Sequence, residues 1–343
     1  MDITVLNDYK GQGRLYCQSH PTLPLIIWNY TPKTQYEQFW DEITLICRGL
    51  VTDLDGNIVS RGFPKFFNIE ENRHIPSDKF EVFEKLDGQY IGVFWYNGEM
   101  VVNSRGSFTS KYAIEARRIL DEKYPKFLQY SYASTTYCFE LIGFEQIVIS
   151  YPEPDLILTG RFQCVDNVWS EINLYSAETH RLSKIKVVQC YSGFDYKNIK
   201  HLNWQNSEGF VVRFSNGDRC KIKFEDYIEL HEKMTNLSTT AIWEALKDGR
   251  PISTILNDVP DEFYDKIHEY ENFLREQYAE IEDMSKRYFN YFKPWLDYRR
   301  KFFVQKIENL CVNPYKTVMM YMIDNKFYDE FIWDHIRPKF EKL

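Results

Sequence analysis

Three dipeptides that favour tight turns divide the middle of the chain into short strands. They are Asp55-Gly56, Asn97-Gly98 and Asn216-Gly217. Each lies between two segments of strand-forming residues: 50–54 and 57–61, 90–96 and 99–103, 210–215 and 218–224. Asp-Gly and Asn-Gly suit type I′ turns, in which both central residues have positive φ. We therefore expect three β-hairpins and a substantially antiparallel sheet between about residues 45 and 230.

Other local patterns fill in this region. A helix is predicted over residues 111–123, and three apolar runs are typical of buried strands: 137–141, 147–151 and 156–158.

The pattern changes after about residue 233. Apolar residues then recur at spacings of three or four, as on one face of a long helix: Phe263, Ile267, Tyr270, Leu274, Tyr278 and Ile281. Helix breaks are predicted at Gly249-Arg250-Pro251, Pro260, Pro294, Pro314 and Pro338. We predict an α+β fold class, with an antiparallel domain over residues 1–233 and an all-α domain over residues 234–343.

Composition limits the modes of binding and the compartment. A formal net charge of −8 means that nucleic acid would have to bind a local basic patch. The seven cysteines are odd in number and include no Cys-x-x-Cys pair, which argues against a disulfide framework and a zinc site. No run approaches 18 uninterrupted apolar residues, and the segment after Met1 does not resemble a signal peptide. We expect a cytoplasmic protein with no membrane anchor.

The tetrapeptide Lys85-Leu86-Asp87-Gly88 offers an amine nucleophile beside a carboxylate at the edge of a predicted strand. Alone it is weak evidence, because Asp-Gly turns are common. Charged residues before and after it would meet it in one cleft: Arg48, Lys65, Arg105, Glu140, Glu208, Lys221 and Lys223. Lys221 and Lys223 are two positions apart, so on a strand both side chains point to one face.

This mixture of charges suits attack on a phosphate. A lysine amine has an ordinary pKa near ~10.4, and neighbouring cations with partial burial favour its neutral, nucleophilic form. Lys221 and Lys223 would also hold the phosphate, while Glu140 and Glu208 supply oxygen ligands for a divalent metal. The alternatives are ordinary: the two lysines could be solubilising residues, and Glu208-Gly209 a turn. Glu140 interrupts an apolar run, so its carboxylate needs a partner or a ligand.

In this order, the motifs resemble those of the ATP-dependent RNA ligases of the phage RNA ligase 1 family, within the covalent nucleotidyltransferase superfamily. The superfamily pattern is matched by Lys85-Leu86-Asp87-Gly88, Phe139-Glu140-Leu141, Glu208-Gly209-Phe210-Val211 and Lys221-Ile222-Lys223. Family detail is matched by Cys47-Arg48-Gly49, Pro64-Lys65-Phe66-Phe67-Asn68, Ser104-Arg105-Gly106-Ser107 and Tyr227. The resemblance implies a nucleotidyltransferase domain of ATP-grasp-like antiparallel sheets with flanking helices.

The resemblance also implies roles. Lys85 would take AMP from ATP, with Lys221 and Lys223 on the α-phosphate and Asp87 orienting the lysine loop and assisting metal hydration. The outgoing phosphates would be contacted by Arg48, Lys65, Arg105 and Tyr227. Glu140 would face the ribose or the water shell of the metal, Glu208 the metal, and Val211 the adenine.

The implied cofactors are ATP and Mg²⁺ or Mn²⁺. The implied partner is RNA with 5′-phosphate and 3′-hydroxyl ends, such as a cleaved tRNA, joined during RNA repair by a monomer. If the phage resemblance holds, the cytoplasm would be that of a virus-infected host.

Two positions depart from related enzymes. Gln89 stands where family members usually carry Ser or Thr, and Tyr90 stands where DNA ligases and capping enzymes carry Arg. The second departure favours an RNA ligase, with Arg105 as the substitute cation. The alternatives are a capping guanylyltransferase or DNA ligase that uses the same lysine, and a non-catalytic RNA-binding relative.

The predicted helical domain differs from the OB barrel of DNA ligases and capping enzymes, and fits an accessory RNA-binding or specificity domain. Residues 286–306 mix basic and aromatic residues, a composition that suits phosphates and stacked bases. A helix pair whose acidic and basic faces meet explains the same pattern equally well.

Overall fold

All three predicted hairpins are present in the computed structural model of the protein. The predicted turn type is confirmed only at Asn97-Gly98, where both residues have positive φ. It is wrong at the other two turns, where only Gly56 and Gly217 have positive φ. Each of these two loops has three residues instead of two. The N–H groups of Gly56 and Gly217 donate to the backbone carbonyl oxygens of Asp53 and Phe214. These are type I turns followed by a left-handed glycine.

The structure describes residues 1–71, 79–127, 134–145, 148–176, 185–193, 204, 206–228, 238–256, 259, 263–298, 301, 304–305, 307 and 312–341. The chain divides into two compact units, Met1–His231 and Glu232–Leu343. The predicted boundary at residue 233 and the predicted break at Pro260 lie outside the described residues. Most side chains of residues 295–306 also lie outside them.

Besides helical residues 225–228, the described part of the first unit consists of helices and short strands. In chain order they are α1 (Ile3–Gly11), β1 (Leu15–Ser19), β2 (Leu25–Tyr30), α2 (Pro32–Tyr36), α3 (Glu42–Ile46), β3 (Arg48–Asp53), β4 (Ile58–Ser60), β5 (Phe67–Asn68), β6 (Phe80–Lys85), β7 (Gly88–Tyr96), β8 (Glu99–Ser104), α4 (Lys111–Lys123), β9 (Thr135–Ile142), β10 (Asp155–Val165), β11 (Val168–Glu171), β12 (Lys186–Val187), β13 (Cys190–Tyr191), β14 (Gly209–Phe214) and β15 (Arg219–Lys223).

These strands form three sheets. The first has the order β1-β2-β3-β4, the second β11-β10-β9-β7-β8 with β12 on β10, and the third β13-β6-β14-β15-β5. Pairing is antiparallel except for β12 on β10 and β5 on β15. The predicted α+β class is confirmed for this unit, and so are the hairpins that define its sheets.

The predicted helix over residues 111–123 matches α4. Ser110 begins it, because its side chain accepts a hydrogen bond from the Ala113 N–H. Ala116, Ile119 and Leu120 then bury one face of α4 in the core of the second sheet. Helical spacing of apolar residues therefore placed this element correctly.

The second unit is helical in its described residues. Its elements are α5 (Thr239–Lys247), a 3₁₀ turn (Ile252–Ile255), α6 (Tyr264–Tyr298), α7 (Tyr315–Ile323) and α8 (Asp329–His335). The predicted stripe lies along α6, where Ile267 and Leu274 are fully buried. The break predicted at Pro294 is wrong, since α6 continues past it. A proline removes one helical hydrogen bond, and the neighbouring Phe292 is buried in a cluster that stabilises this part of the helix.

Among the described residues, no helix combines the length and the apolar character that spanning a membrane requires.

Candidate active site

The register of the third sheet brings four of the predicted residues onto one face. Lys85 on β6 and Lys223 on β15 both pair with Gly209 on β14, so the three form one row across the sheet. The next row consists of Phe83, Val211 and Lys221. Opposed residues, and residues two apart along a strand, point to the same side of a sheet. Lys85, Val211, Lys221 and Lys223 therefore share a face.

Glu208 joins the two ends of the first row. Its Oε1 atom lies 2.6 Å from Nζ of Lys85 and 3.3 Å from Nζ of Lys223. The Glu208 side chain is 4% exposed and that of Lys85 20% exposed. One buried carboxylate oxygen therefore contacts two lysine amines, and Lys85 stays partly exposed to solvent.

Asp87 is bound on both of its carboxylate oxygens. The Tyr227 hydroxyl donates to Oδ1 at 3.1 Å, and the backbone N–H groups of Val148 and Ile149 donate to Oδ2 at 3.0 and 2.9 Å. The Asp87 N–H in turn donates to the Tyr151 hydroxyl at 3.0 Å. These contacts fix the loop that follows Lys85. Lys223 also lies over the Tyr227 ring, with Nζ 5.4 Å from the centroid.

The strand predicted over residues 147–151 is wrong for residues 148–151, and Ile147 lies outside the described residues. Residues 148–151 form no sheet ladder, because the N–H groups of Val148 and Ile149 are used by the Asp87 carboxylate. Sequence reasoning also missed Tyr151. An apolar run shows that a segment is buried, but it does not show which partner its backbone groups will bind.

Gly88 allows the lysine loop to approach the second sheet closely. A Cβ atom at this position would lie 2.4 Å from the Leu141 carbonyl oxygen and 3.0 Å from Cγ of Glu140. Gly88 pairs with Ile142 at the start of β7, beside the strand that carries Glu140. The glycine of the motif is thus required by packing against β9, which brings Glu140 close to the lysine loop.

Glu140 is a carboxylate with a strongly perturbed pKa. Burial raises the pKa of Glu140 to about 7, against the opposing effect of the nearby Lys85 and Arg48 cations, while Glu208 and Asp87 add to the rise. A divalent cation would favour the ionised form of this group. Within the described ranges, no group of three or more Asp, Glu, His or Cys residues is arranged to hold a metal. Two glutamates could therefore supply only part of a metal shell, as is usual for Mg²⁺ bound with phosphates and water.

The three remaining cations lie against aromatic rings. The Arg48 guanidinium carbon is 5.5 Å from the Tyr90 ring centroid and 6.0 Å from that of Phe66. Lys65 Nζ is 5.4 Å from the Trp40 ring and 5.3 Å from the Phe67 ring. Contacts of this kind limit the positions that a long cationic side chain adopts.

Arg105 completes this arrangement. Its guanidinium carbon is 5.5 Å from the Tyr30 ring, and Tyr30 meets Trp40 edge to face at 5.1 Å. Trp40 meets Phe67 in the same way at 5.5 Å. A connected set of rings therefore links Arg105 to Lys65. Sequence reasoning did not single out Tyr30 or Trp40, because one aromatic residue in a strand or loop gives no sign of the cation that it contacts.

Residues 46–228, more than half of the chain, match the model of a family described as RNA ligase. The chain belongs to the phage RNA ligase 1 family. The matched range contains every predicted site residue, from Arg48 to Tyr227. The resemblance seen in the sequence motifs is therefore confirmed at the level of the family.

A curated relative is described as a putative bifunctional polynucleotide kinase/RNA ligase of Autographa californica nuclear polyhedrosis virus. It is 27% identical over 245 residues, which cover 62% of this chain and 34% of the relative. A variant of the Naegleria gruberi RNA ligase, solved with ATP and Mn, is similar with a TM-score of 0.37 and 19% identity, covering 45% of this chain and 52% of that one. An archaeal ATP-dependent RNA ligase gives a TM-score of 0.44 and 15% identity, with 78% and 75% covered.

The chain therefore spans about a third of the length of the curated relative and about half that of the Naegleria ligase.

Within this RNA ligase family member, direct contacts join Lys85, Glu208 and Lys223, and join Asp87 to Tyr227. Val211 and Lys221 lie one row away on the same sheet face. Arg48, Lys65 and Arg105 lie on rings, and the charge of Arg48 acts to lower the pKa of Glu140. The role of each residue toward a ligand stays a prediction.

Proposed function

We propose that this chain is an ATP-dependent RNA ligase that joins an RNA 5′-phosphate to an RNA 3′-hydroxyl through a lysyl-AMP intermediate on Lys85. One observation carries the proposal: the Lys85 Nζ atom shares the buried Glu208 oxygen with Lys223, on a sheet face that also holds Lys221. A nucleophilic amine, two further cations and a carboxylate on one surface suit nucleotidyl transfer. Membership of the RNA ligase family supports the same reading.

In the first step the Lys85 amine attacks the α-phosphorus of ATP. The P–N bond forms, the bond to the β-phosphate oxygen breaks, pyrophosphate leaves, and the lysine loses its proton. Lys221 and Lys223 stabilise the negative charge that develops on the α-phosphate. Val211, on the same face, packs against the adenine, and Asp87 holds the lysine loop through its contacts with Val148 and Ile149.

Pyrophosphate needs its own cations as it leaves. Arg48, Lys65 and Arg105 provide them, each held against an aromatic ring. Preorganised cations of this kind stabilise a leaving group without rearranging during the reaction. Tyr227 has a single O–H donor, which is given to Asp87 here, so its hydroxyl would donate to a phosphate only after releasing that hydrogen bond.

The later steps use the same lysine as a leaving group. An oxygen of the RNA 5′-phosphate attacks the α-phosphorus, the P–N bond breaks, and Lys85 regains a proton. The RNA 3′-hydroxyl then attacks the activated 5′-phosphorus, AMP leaves, and a phosphodiester remains. The enzyme is thereby returned to its starting state.

Glu140 and Glu208 are the residues that would hold Mg²⁺ or Mn²⁺, with Asp87 assisting its hydration. A cation held by Glu208 would neutralise the carboxylate beside Lys85 and so favour the uncharged amine. The fit rests on the two acidic side chains around Lys85 and on the raised pKa of Glu140, which a cation would reverse.

The helical unit, residues 234–343, serves in this proposal as an RNA-binding or specificity domain, and the enzyme works as a monomer in the cytoplasm. Its substrates are broken single strands, such as a cleaved tRNA, in RNA repair. A viral relative described as a kinase/RNA ligase is compatible with this role.

The test uses ATP labelled at its α-phosphate with the purified chain and a divalent metal. We expect a covalent AMP adduct that Lys85→Ala abolishes and that Lys126→Ala, a change at an exposed lysine of the same unit, leaves intact. Addition of 5′-phosphorylated RNA should discharge the adduct and seal the strand. An adduct from GTP but not ATP would identify a capping enzyme, sealing of nicked DNA alone a DNA ligase, and an adduct on Lys85→Ala would contradict the proposal.

A further inference from the structure

Tyr90 lies in the middle of the candidate site although the motifs assign it no role. It is 7% exposed and pairs with Glu140 across β7 and β9, so the two side chains share one face of the second sheet. The Arg48 guanidinium carbon lies 5.5 Å from its ring centroid. Tyr90 is thus the surface on which Arg48 rests, beside the carboxylate of Glu140.

The surrounding backbone leaves room for this ring. A Cβ atom on Gly62 would lie 2.2 Å from the Tyr90 hydroxyl oxygen, and one on Gly49 would lie 3.1 Å from Cε1 of the ring. The hydroxyl also lies 3.7 Å from the Cys138 sulfur. Contacts on these sides hold the ring in one position, and Gly49 directly follows the arginine that the ring supports.

A fixed ring reduces the conformational entropy that the Arg48 side chain would lose on binding a phosphate. An arginine side chain loses rotamer freedom when it is held in one place, and this loss opposes ligand binding. A ring face supplies attraction and a fixed plane before any ligand arrives, so less freedom is lost when a phosphate binds. Glu140, on the same face as Tyr90, attracts the guanidinium of Arg48 and also the ammonium group of Lys85.

We propose that Tyr90 is a positioning residue that holds Arg48 by a cation–π contact in the orientation needed to bind the leaving pyrophosphate. The inference rests on the proposed function, because it assumes that Lys85 is adenylylated from ATP. It assigns to Tyr90 an effect on the adenylylation step that passes through Arg48. Sealing of RNA that is already adenylylated does not need this contact, since no pyrophosphate is present.

Another tyrosine of the same sheet provides a matched control for a purely structural role of Tyr90. Tyr137 on β9 is fully buried, and the Arg161 guanidinium carbon lies 5.5 Å from its ring centroid. Tyr137 points to the opposite face from Tyr90, into the core beneath α4. Tyr137→Leu therefore removes a buried ring and a cation–π contact of equal length at a distance from the candidate site.

The experiment measures the rate of lysyl-AMP formation against ATP concentration, and separately the sealing of pre-adenylylated RNA. For Tyr90→Leu we expect the KM for ATP to rise about tenfold, which corresponds to a cation–π contact of about 1.4 kcal/mol. Sealing of pre-adenylylated RNA should stay within about twofold. Tyr90→Phe keeps the ring and should behave like the unaltered protein. Tyr137→Leu should leave the KM for ATP unchanged even if it lowers stability.

A double substitution decides whether the effect passes through Arg48. In an Arg48→Met background, Tyr90→Leu should cause no further loss. An equal loss with and without Arg48, or a parallel loss in sealing of pre-adenylylated RNA, would overturn the inference. Should Tyr90→Leu fail to fold, Tyr90→Met, which fills a similar volume without a ring, gives the same comparison. If the unaltered protein forms no lysyl-AMP, the proposed function itself fails. If it does form lysyl-AMP and Tyr90→Leu has an unchanged KM for ATP, only the inference about Tyr90 fails.

Discussion

The Nζ atom of Lys85 lies 2.6 Å from Oε1 of Glu208, and the same oxygen lies 3.3 Å from Nζ of Lys223. Residues 123 positions apart in the chain thus meet because β14 lies beside β6 in the third sheet. The pair couples the candidate nucleophile to a buried carboxylate that also contacts a second lysine. Its loss should affect both stability and chemistry.

Replacement of Glu208 by glutamine should destabilise the first unit and impair adenylylation. The substitution leaves two ammonium groups near a neutral amide, and removing one partner of a buried ion pair costs up to 3–5 kcal/mol. Because Lys85 is partly exposed, we expect about 2 kcal/mol in the free energy of unfolding, measured in urea. The same variant should form lysyl-AMP at least about 100-fold more slowly.

The control is the exposed pair of Lys111 with Glu145. Glu145→Gln should change the free energy of unfolding by less than about 0.5 kcal/mol. Equal stability of Glu208→Gln and the unaltered protein would show that the buried pair makes no net contribution.

Replacement of Asp87 by alanine should release the loop that follows the lysine strand. The N–H groups of Val148 and Ile149 would lose their acceptor, and a buried donor without a partner costs about 1–3 kcal/mol. We expect amide hydrogen exchange at these two residues to become about 10- to 100-fold faster, as measured by NMR. Tyr227→Phe, which removes one donor and leaves the carboxylate in place, should have a smaller effect.

A matched control is Asp53→Ala. Asp53 also accepts backbone hydrogen bonds, but in the exposed turn between β3 and β4. Its replacement should leave exchange at Val148 and Ile149 unchanged. Unaltered exchange in Asp87→Ala would mean that other contacts hold the loop.

Glu140 should make the stability of the ligand-free protein fall as the pH rises. Burial raises the pKa of Glu140 to about 7, so the folded protein still binds a proton between about pH 4.5 and 7 that the unfolded chain has lost. This contribution to stability is complete below the unfolded pKa and is lost as the pH passes through 7. Glu140→Gln, which mimics the protonated form, should therefore be more stable than the unaltered protein at pH 8 by about 1–3 kcal/mol in the free energy of unfolding, which raises Tm by at least about 2–4 °C.

The measurement is Tm from pH 5 to 8 for both proteins, with Glu145→Gln as a control that keeps the ordinary profile. Addition of Mg²⁺ should reduce the advantage of Glu140→Gln at pH 8, because a cation favours the ionised carboxylate. A constant difference in Tm across this range would contradict the assignment of the raised pKa.

Local patterns predicted elements well where local interactions decide them. The helix α4 follows from the spacing of its apolar residues and its Ser110 cap, and the three hairpins follow from their Asp-Gly and Asn-Gly turns. Where a distant contact decides, the predictions were wrong. Val148, Ile149 and Tyr151 bind Asp87, and their segment forms no strand. The helix α6 continues through Pro294.

The sequence by itself determined the hairpins, the helical character of the described C-terminal unit, the family, and the choice of Glu208, Lys221 and Lys223 as partners of Lys85. Motif order is enough for this, since each motif reflects a local turn or strand. Only the tertiary structure decided that Glu208 bridges Lys85 and Lys223, that Asp87 is bound by residues 148 and 149, and that Arg48 rests on Tyr90. These contacts join residues far apart in the chain, and the register between strands, which fixes them, is set by the packing of whole sheets.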